Sequence, residues 1–141
     1  MNKKPFIVII EDNQDDYEAI IRVFKKNFPD NNHIWFKDSK KALEYINSLI
    51  ATDNMPAFIL LDLNMPGIDG REMLVHIKNK TKQIPVIIST TSSAKKDILQ
   101  CYHNGANSYI QKPVNFTQLE EVLLATTKYW LEINISANEQ I

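Results

Sequence analysis

The 141 residues are enough for one ordinary domain with a core of its own, and a hydrophobic content of 44% argues against a disordered chain. The balance of 16 Lys and Arg against 17 Asp and Glu leaves a net charge of -1, which excludes a global field for DNA, RNA or an anionic membrane. Cys101 is the only cysteine, so no internal disulfide forms and a reducing, cytoplasmic setting is expected; MNKKPFIVII is too short an apolar run for a signal peptide, and no segment approaches the ~20 apolar residues of a membrane span.

The apolar pattern changes period repeatedly along the chain. FIVII (6–10) reads as a strand buried on both faces. Residues 14–28 have helical spacing, with Ala19, Ile20, Val23 and Phe24 on one stripe, and Pro29 ends that helix. HIWFK (33–37) is a second strand. Ser39 is expected to cap a helix through about Ile50 with Ala42, Leu43, Ile46 and Ile50 inward. After the ATDNMP loop (51–56), FILLD (58–62) is a third strand, and Asp69 with Glu72 forms a capping box opening a helix to about Lys80. PVIIST (85–90) is a fourth strand. Residues 93–103 form a helix with Ala94, Ile98, Leu99 and Tyr102 inward, stopped near Gly105. NSYIQ (107–111) is the fifth strand. Pro113 breaks it, and Asn115 caps a last helix that buries Leu119, Val122, Leu123 and Trp130. Five alternating βα units predict a parallel sheet with helices on both faces and right-handed crossovers, whose ligands bind at the carboxyl ends of the strands.

That rule gathers scattered polar residues onto one rim. Strand 1 ends in Glu11-Asp12, strand 3 in Asp62, strand 4 in Thr90 and strand 5 in Lys112-Pro113. Lys37-Asp38 follows strand 2, which would be an edge, and is left out. Each residue has a plain structural reading as well: Glu11-Asp12 with Asp15-Asp16 suits the dipole at the start of helix 1, Asp62 is a possible cap, and Thr90 and Lys112 are ordinary strand and surface residues. Their joint placement favours a site. Carboxylates at ~4 Å repel by roughly 4 kcal/mol each pair at an effective dielectric of ~20, so one takes a proton or a cation joins them. An all-oxygen cluster prefers a hard cation, and Mg²⁺ fits because it keeps several waters and takes one or two carboxylates plus a phosphate. With a lysine and a hydroxyl alongside, the site suits a phosphoryl group, towards which the central carboxylate can act as a nucleophile. Three glycines form no phosphate-cradling loop, and His33, His76 and His103 lack zinc spacing. Asp62-x-Asn64 begins like a calcium loop, but Pro66 and Met73 occupy its fifth and twelfth positions and the match fails.

Glu11-Asp12, LLDLNMPGIDG, Thr90 after PVIIS, and Lys112-Pro113 after SYI together resemble a response-regulator receiver domain of two-component signalling, in the family's order and spacing and over about residues 5–132. The resemblance implies a flavodoxin-like doubly wound α/β fold, a five-stranded parallel sheet in the order 2-1-3-4-5. It implies that Asp62 accepts a phosphoryl group from a phosphohistidine of a sensor kinase or phosphotransfer protein. Glu11, Asp12, Asp62 and the backbone carbonyl of Asn64 hold Mg²⁺. Lys112 pairs with the phosphoryl oxygens, Thr90 hydrogen-bonds one of them, and Tyr109 rotates with Thr90. Asn64 and Ser92 tune hydrolysis, and the Lys112–Pro113 bond is cis. The STTS run, the lengthened ATDNMP loop and the aromatic pair in KYWLE are similar to the phytochrome-associated single-domain subgroup, which implies a phytochrome-like kinase. Thr91 departs from the small residue often found there, and its bulk is expected to hinder the rotation of Tyr109.

The expected organisation is a stand-alone receiver over residues 1–141, with a C-terminal extension at 133–141 and no output domain. Its output is then a protein contact or a phosphoryl relay, carried by a surface around helix 4, strand 5 and helix 5 and driven by the roughly -1.5 to -2 charges that phosphorylation adds. Tyr129, Ile133 and Ile135 either form a homodimer contact or complete the core. Two rivals stand beside this reading. One is a haloacid-dehalogenase-like phosphohydrolase, although Asn64 replaces its second Asp and the nucleophile lies mid-chain. The other is a receiver fold that binds a partner without phosphorylation.

Overall fold

In the computed structural model, which describes residues 5–137, the apolar runs become five short strands. These are β1 (Ile7–Ile10), β2 (His33–Phe36), β3 (Phe58–Leu61), β4 (Val86–Thr90) and β5 (Ser108–Gln111). Between and after them lie α1 (Gln14–Asn27), α2 (Ser39–Ala51), α3 (Gly70–Lys80), α4 (Lys95–His103) and α5 (Phe116–Lys128), and α5 runs on into a π-helical turn at Tyr129–Ile133. All strand pairs are parallel, in the order β2-β1-β3-β4-β5. This is the flavodoxin-like arrangement, with every residue of the three central strands buried.

The pleat divides those strands between two cores. Val8, Ile10, Ile59, Leu61, Val86 and Ile88 face α2 and α3, meeting Ala42, Ile46, Met73, Leu74 and Ile77. Ile7, Ile9, Phe58, Leu60 and Ile87 face the other way, onto Ala19, Ile20, Val23 and Phe24 of α1 and Leu119 and Leu123 of α5. A continuous apolar run is thus required in each central strand, because both pleat faces are covered. Register then fixes the rim. Ile10 lies opposite Phe36 and Leu61, and Leu61 opposite Ile88, so Glu11 and Asp62 leave the sheet at the same level.

Several local expectations are corrected. Asp38, not Ser39, caps α2 by accepting from the Lys40 N–H at 2.7 Å. The Ser39 hydroxyl is used elsewhere: it donates to the Pro66 carbonyl at 2.9 Å and accepts from the Ile68 N–H at 2.7 Å, stapling the loop after β3 to α2. Asp69 occupies the N-cap position of α3 but makes no capping bond, because its carboxylate pairs with Arg71 at 3.1 Å. The helix expected at 93–103 starts at Lys95; Ala94 is exposed, Leu99 and Tyr102 are 58% and 49% exposed, and only Cys101 is buried. This helix packs beside the edge strand β5, where the sheet offers little surface to cover a second apolar face. Asn13 and Asn115 cap α1 and α5 through the N–H groups of Asp16 and Gln118.

Beyond α5, Trp130 packs into the α1–α5 core. Tyr129, Ile133 and Ile135 are 44%, 60% and 67% exposed, so they do not complete it. Lys78 is a buried lysine that the sequence did not single out. Its ammonium donates to the Ile84 carbonyl and to Asn107 Oδ1 at 2.8 and 2.7 Å, tying α3 to β4 and to the turn before β5. Burial, with help from Lys82, lowers its pKa to about 8. Gly70 marks the tightest approach: a Cβ there would lie 2.4 Å from the Asp62 carbonyl oxygen and 2.6 Å from Leu63 Cα. Helix α3 can therefore abut the loop that carries Asp62 only without a side chain at that point. Among the described residues no helix is long and apolar enough to cross a membrane.

Candidate functional site

The residues that end β1, β3, β4 and β5 meet at one rim. Lys112 is delivered by β5, whose ladder is extended one step by the Lys112 N–H donating to the Thr90 carbonyl at 2.7 Å; Pro113, with no N–H, ends it. Every peptide bond of the described residues is trans. The cis Lys112–Pro113 bond implied by the family resemblance is therefore absent, and the bond takes the isomer favoured for X-Pro by about 0.5–1 kcal/mol. The lysine still reaches the site. Its ammonium lies 2.6 Å from Glu11 Oε1, 2.9 Å from Asp16 Oδ2 and 3.1 Å from Asp62 Oδ2.

Glu11 and Asp62 are held by the sheet itself. Their N–H groups donate to the Phe36 and Ile10 carbonyls, continuing the β1–β2 and β1–β3 ladders. Glu11 Oε2 accepts from the Asn13 N–H, and its carbonyl accepts from the Trp35 indole at 2.7 Å. Asp62 Oδ1 accepts from the Asn64 N–H at 3.1 Å, while the Asn64 side chain is exposed. The Asp62 side chain is only 8% exposed. Thr90 is fully buried, and its hydroxyl accepts from the Ser92 N–H at 3.3 Å. Tyr109 packs its ring against the α2–α3 core and donates its hydroxyl to the Ser92 carbonyl at 3.0 Å. Thr91, beside this pair, is exposed.

Asp16 is the member of the site that sequence reasoning missed. It sits in the first turn of α1, where an acid reads as a dipole complement. Only its distance from Lys112, a residue 96 positions away, reveals the second role. The signal available was its place in the first turn of α1, which begins close to the end of β1.

The electrostatics are unbalanced. Three carboxylates, Glu11, Asp16 and Asp62, pair with one ammonium, and Asp12 lies beside Glu11 and Asp62. Burial, reinforced by the charge of Asp62 and opposed by Lys112, raises the Glu11 pKa to about 8. Burial works against the charge of Lys112, but Glu11 and Asp62 outweigh it and raise its pKa, so the lysine stays charged. Oxygen atoms of Glu11, Asp12 and Asp62 lie within 4.8 Å of one another, with Asp12 exposed and the other two buried. An oxygen-only donor set with surplus negative charge and one solvent-facing member fits a hard divalent cation that keeps part of its water shell.

The profile of the response regulator receiver domain family matches residues 7–124. The chain belongs to that family. Among characterised proteins it is 35% identical over 136 residues to the probable methanogenesis regulatory protein FilR2 of Methanothrix harundinacea, covering 94% of this chain and 88% of that one. It is 33% identical over 135 residues to the response regulator Rcp1 of Synechocystis, covering 93% and 92%. The structure superposes on the phosphorylated cyanobacterial phytochrome response regulator RcpA with a TM-score of 0.88 at 31% identity, over 96% of this chain and 99% of that one. The Mn²⁺-bound form of Rcp1 gives 0.85 at 32% identity, over 94% and 98%. As a receiver domain the chain is a signalling module, and its likeness to the phytochrome-associated receivers agrees with the STTS, ATDNMP and KYWLE features.

The raised pKa of Glu11 has a sign that can be tested. With burial raising its pKa to about 8, Glu11 is expected to keep a proton in the native, metal-free protein at pH values where the unfolded chain, near the ordinary 4.5, has lost it. The native state thus binds more protons between these values, and this contribution to stability is full below about pH 4.5 and is lost as pH rises through about 8. Glu11→Gln is expected to remove that dependence. Urea unfolding in EDTA at several pH values should show the variant gaining on the wild type from pH 5 to pH 8; a constant difference would contradict the assignment.

Proposed function

We propose that this chain is a stand-alone response regulator, one receiver domain over residues 1–141 with its core at about 5–132 and an extension at 133–141. It accepts a phosphoryl group on Asp62 and changes a protein-binding surface in response. The observation that carries this reading is the position of Lys112, within 3.1 Å of the buried Asp62 carboxylate at the carboxyl end of β3.

In the transfer, an Asp62 oxygen forms a bond to phosphorus as the P–N bond of a donor phosphohistidine breaks, and that electron pair returns to the imidazole. Asp62 Oδ1 is oriented by the Asn64 N–H and Oδ2 by Lys112, so the carboxylate is aimed before the donor arrives. Lys112 offsets the charge on the phosphoryl oxygens, and the Thr90 hydroxyl turns to donate to one of them. Glu11, Asp12, Asp62 and the Asn64 carbonyl would hold Mg²⁺, which when bound would neutralise the remaining charge on the transferred group. Support for a divalent cation and for phosphorylation comes from the Mn²⁺-bound Rcp1 and phosphorylated RcpA structures. The chain assists its own phosphorylation and dephosphorylation and turns over no separate substrate. Asn64 and Ser92 flank the acceptor and tune the lifetime of the phosphoryl group.

The donor is a cytoplasmic sensor histidine kinase, phytochrome-like by the similarity to RcpA, or a phosphotransfer protein. With a net charge of only -1, we read the module's partners as proteins rather than nucleic acid or a membrane. Tyr129, Ile133 and Ile135, all exposed, support a homodimer at the C-terminal end. Incubation with acetyl phosphate and Mg²⁺ should add ~80 Da to the intact mass, and Asp62→Asn should abolish the gain. No gain, or one that survives the substitution, rejects the acceptor role and leaves a phosphorylation-independent binding module. Hydrolysis of small phosphate esters would instead favour a phosphohydrolase. Sedimentation at high concentration, with and without a phosphoryl mimic, is expected to reveal a dimer; a monomer in both states contradicts that contact.

A further inference from the structure

Helix α4 is weakly anchored by its core. Of its nine residues only Cys101 is buried, and Ala94 at its N-cap position makes no side-chain cap bond. What fixes its first turn is polar. Asp97 Oδ2 accepts from the Ser92 hydroxyl at 2.7 Å, and Oδ1 accepts from Arg71 Nε at 3.0 Å with Arg71 Nη2 equally close. Arg71 lies in the first turn of α3, directly after the loop that carries Asp62, and its Nη1 also holds Asp69. Ser92 distributes the connection further. Its hydroxyl accepts from the Ala94 N–H, its N–H donates to the Thr90 hydroxyl, and its carbonyl accepts from the Tyr109 hydroxyl. A continuous polar chain therefore runs from α3 through Arg71, Asp97 and Ser92 to both Thr90 and Tyr109.

We propose that Asp97, clamped by Arg71, is a positioning residue that fixes Ser92 and so sets the β4–α4 loop, the Thr90 hydroxyl and the Tyr109 ring in place before any phosphoryl group arrives. The link to phosphoryl chemistry rests on the function proposed above; the placement of the loop does not. Charge assistance makes the bonds at Asp97 stronger than neutral ones, and its carboxyl is held below the usual range by Ser92 and then by Arg71. Arg71 and Asp97 nevertheless remain partly solvated, with side chains 30% and 19% exposed. Losing their pairing therefore loosens a loop without unfolding the domain. Thr90 and Tyr109 thereby feel the acceptor loop by two routes. The inner one runs from Asp62 through Lys112, whose N–H bonds the Thr90 carbonyl. The outer one runs through Arg71 and Asp97.

The test uses the full chain labelled with 3-fluorotyrosine, the Tyr109 line being assigned with Tyr109→Phe. In the unphosphorylated protein, Asp97→Asn is expected to move that line towards the free amino acid. Amide exchange of the 92–94 segment should become about tenfold faster, while Mg²⁺ affinity stays within about twofold of wild type. Arg71→Gln should give the same displacement, and the double variant no more than either alone, because both act through one contact. An unmoved Tyr109 line with unchanged exchange, or fully additive effects, would overturn the proposal. After acetyl phosphate treatment, the Asp62 phosphate should decay at a rate altered about threefold in Asp97→Asn; an unaltered rate would sever the clamp from the chemistry. A wild-type chain that takes no phosphate fails the proposed function alone, since the fluorine and exchange results still decide the placement.

Discussion

One ammonium shared by three carboxylates is the interaction around which this fold is arranged. Lys112 touches Glu11, Asp16 and Asp62 at 2.6, 2.9 and 3.1 Å, and those groups come from the ends of β1 and β3 and from the first turn of α1. Removing one partner of such a buried set leaves uncompensated charge, typically worth about 3–5 kcal/mol. The cluster depends on the parallel register: Ile10, Leu61, Ile88 and Tyr109 lie side by side, Glu11 and Asp62 follow one residue beyond that level, and Lys112, two residues further along β5, reaches back to them.

The rest of the molecule keeps the Asp62 loop from drifting off that level. Gly70 lets α3 press directly on the backbone of Asp62 and Leu63. Ser39 bonds the loop at Pro66 and Ile68 from the side of α2. Arg71 carries the same constraint outward to α4. These ties hold the Asp62 carboxylate still while leaving its neighbourhood short of positive charge. That imbalance, in which one lysine faces three acids with Asp12 beside them, is what a divalent cation and a phosphoryl group would exploit.

Much of this was legible in the sequence, for a physical reason. Strands covered on both faces must be apolar throughout, so a polar residue that ends such a run marks the rim; Glu11, Asp12, Asp62, Thr90 and Lys112 were all found in this way. Residues whose surroundings are set by another element were not. Asp16 looked like a dipole complement because its partner is 96 residues away. Ser39 and Asp69 carried good capping chemistry, but neighbouring loops and Arg71 claimed their side chains. Helix α4 showed an amphipathic pattern, yet the sheet ends beside it, leaving Leu99 and Tyr102 outside. A spacing pattern reports which residues share a face, and not whether the fold provides something to cover it.

The cation proposed for the carboxylates around Lys112 would compete with the proton on Glu11. Calorimetric titration with Mg²⁺ at pH 6 and pH 8, repeated in buffers of different ionisation enthalpy, separates the two. One site is expected that tightens as pH rises towards about 8, releases a proton on binding below that value, and is lost in Asp62→Asn. Binding that is independent of pH, or that persists without the Asp62 carboxylate, would contradict it.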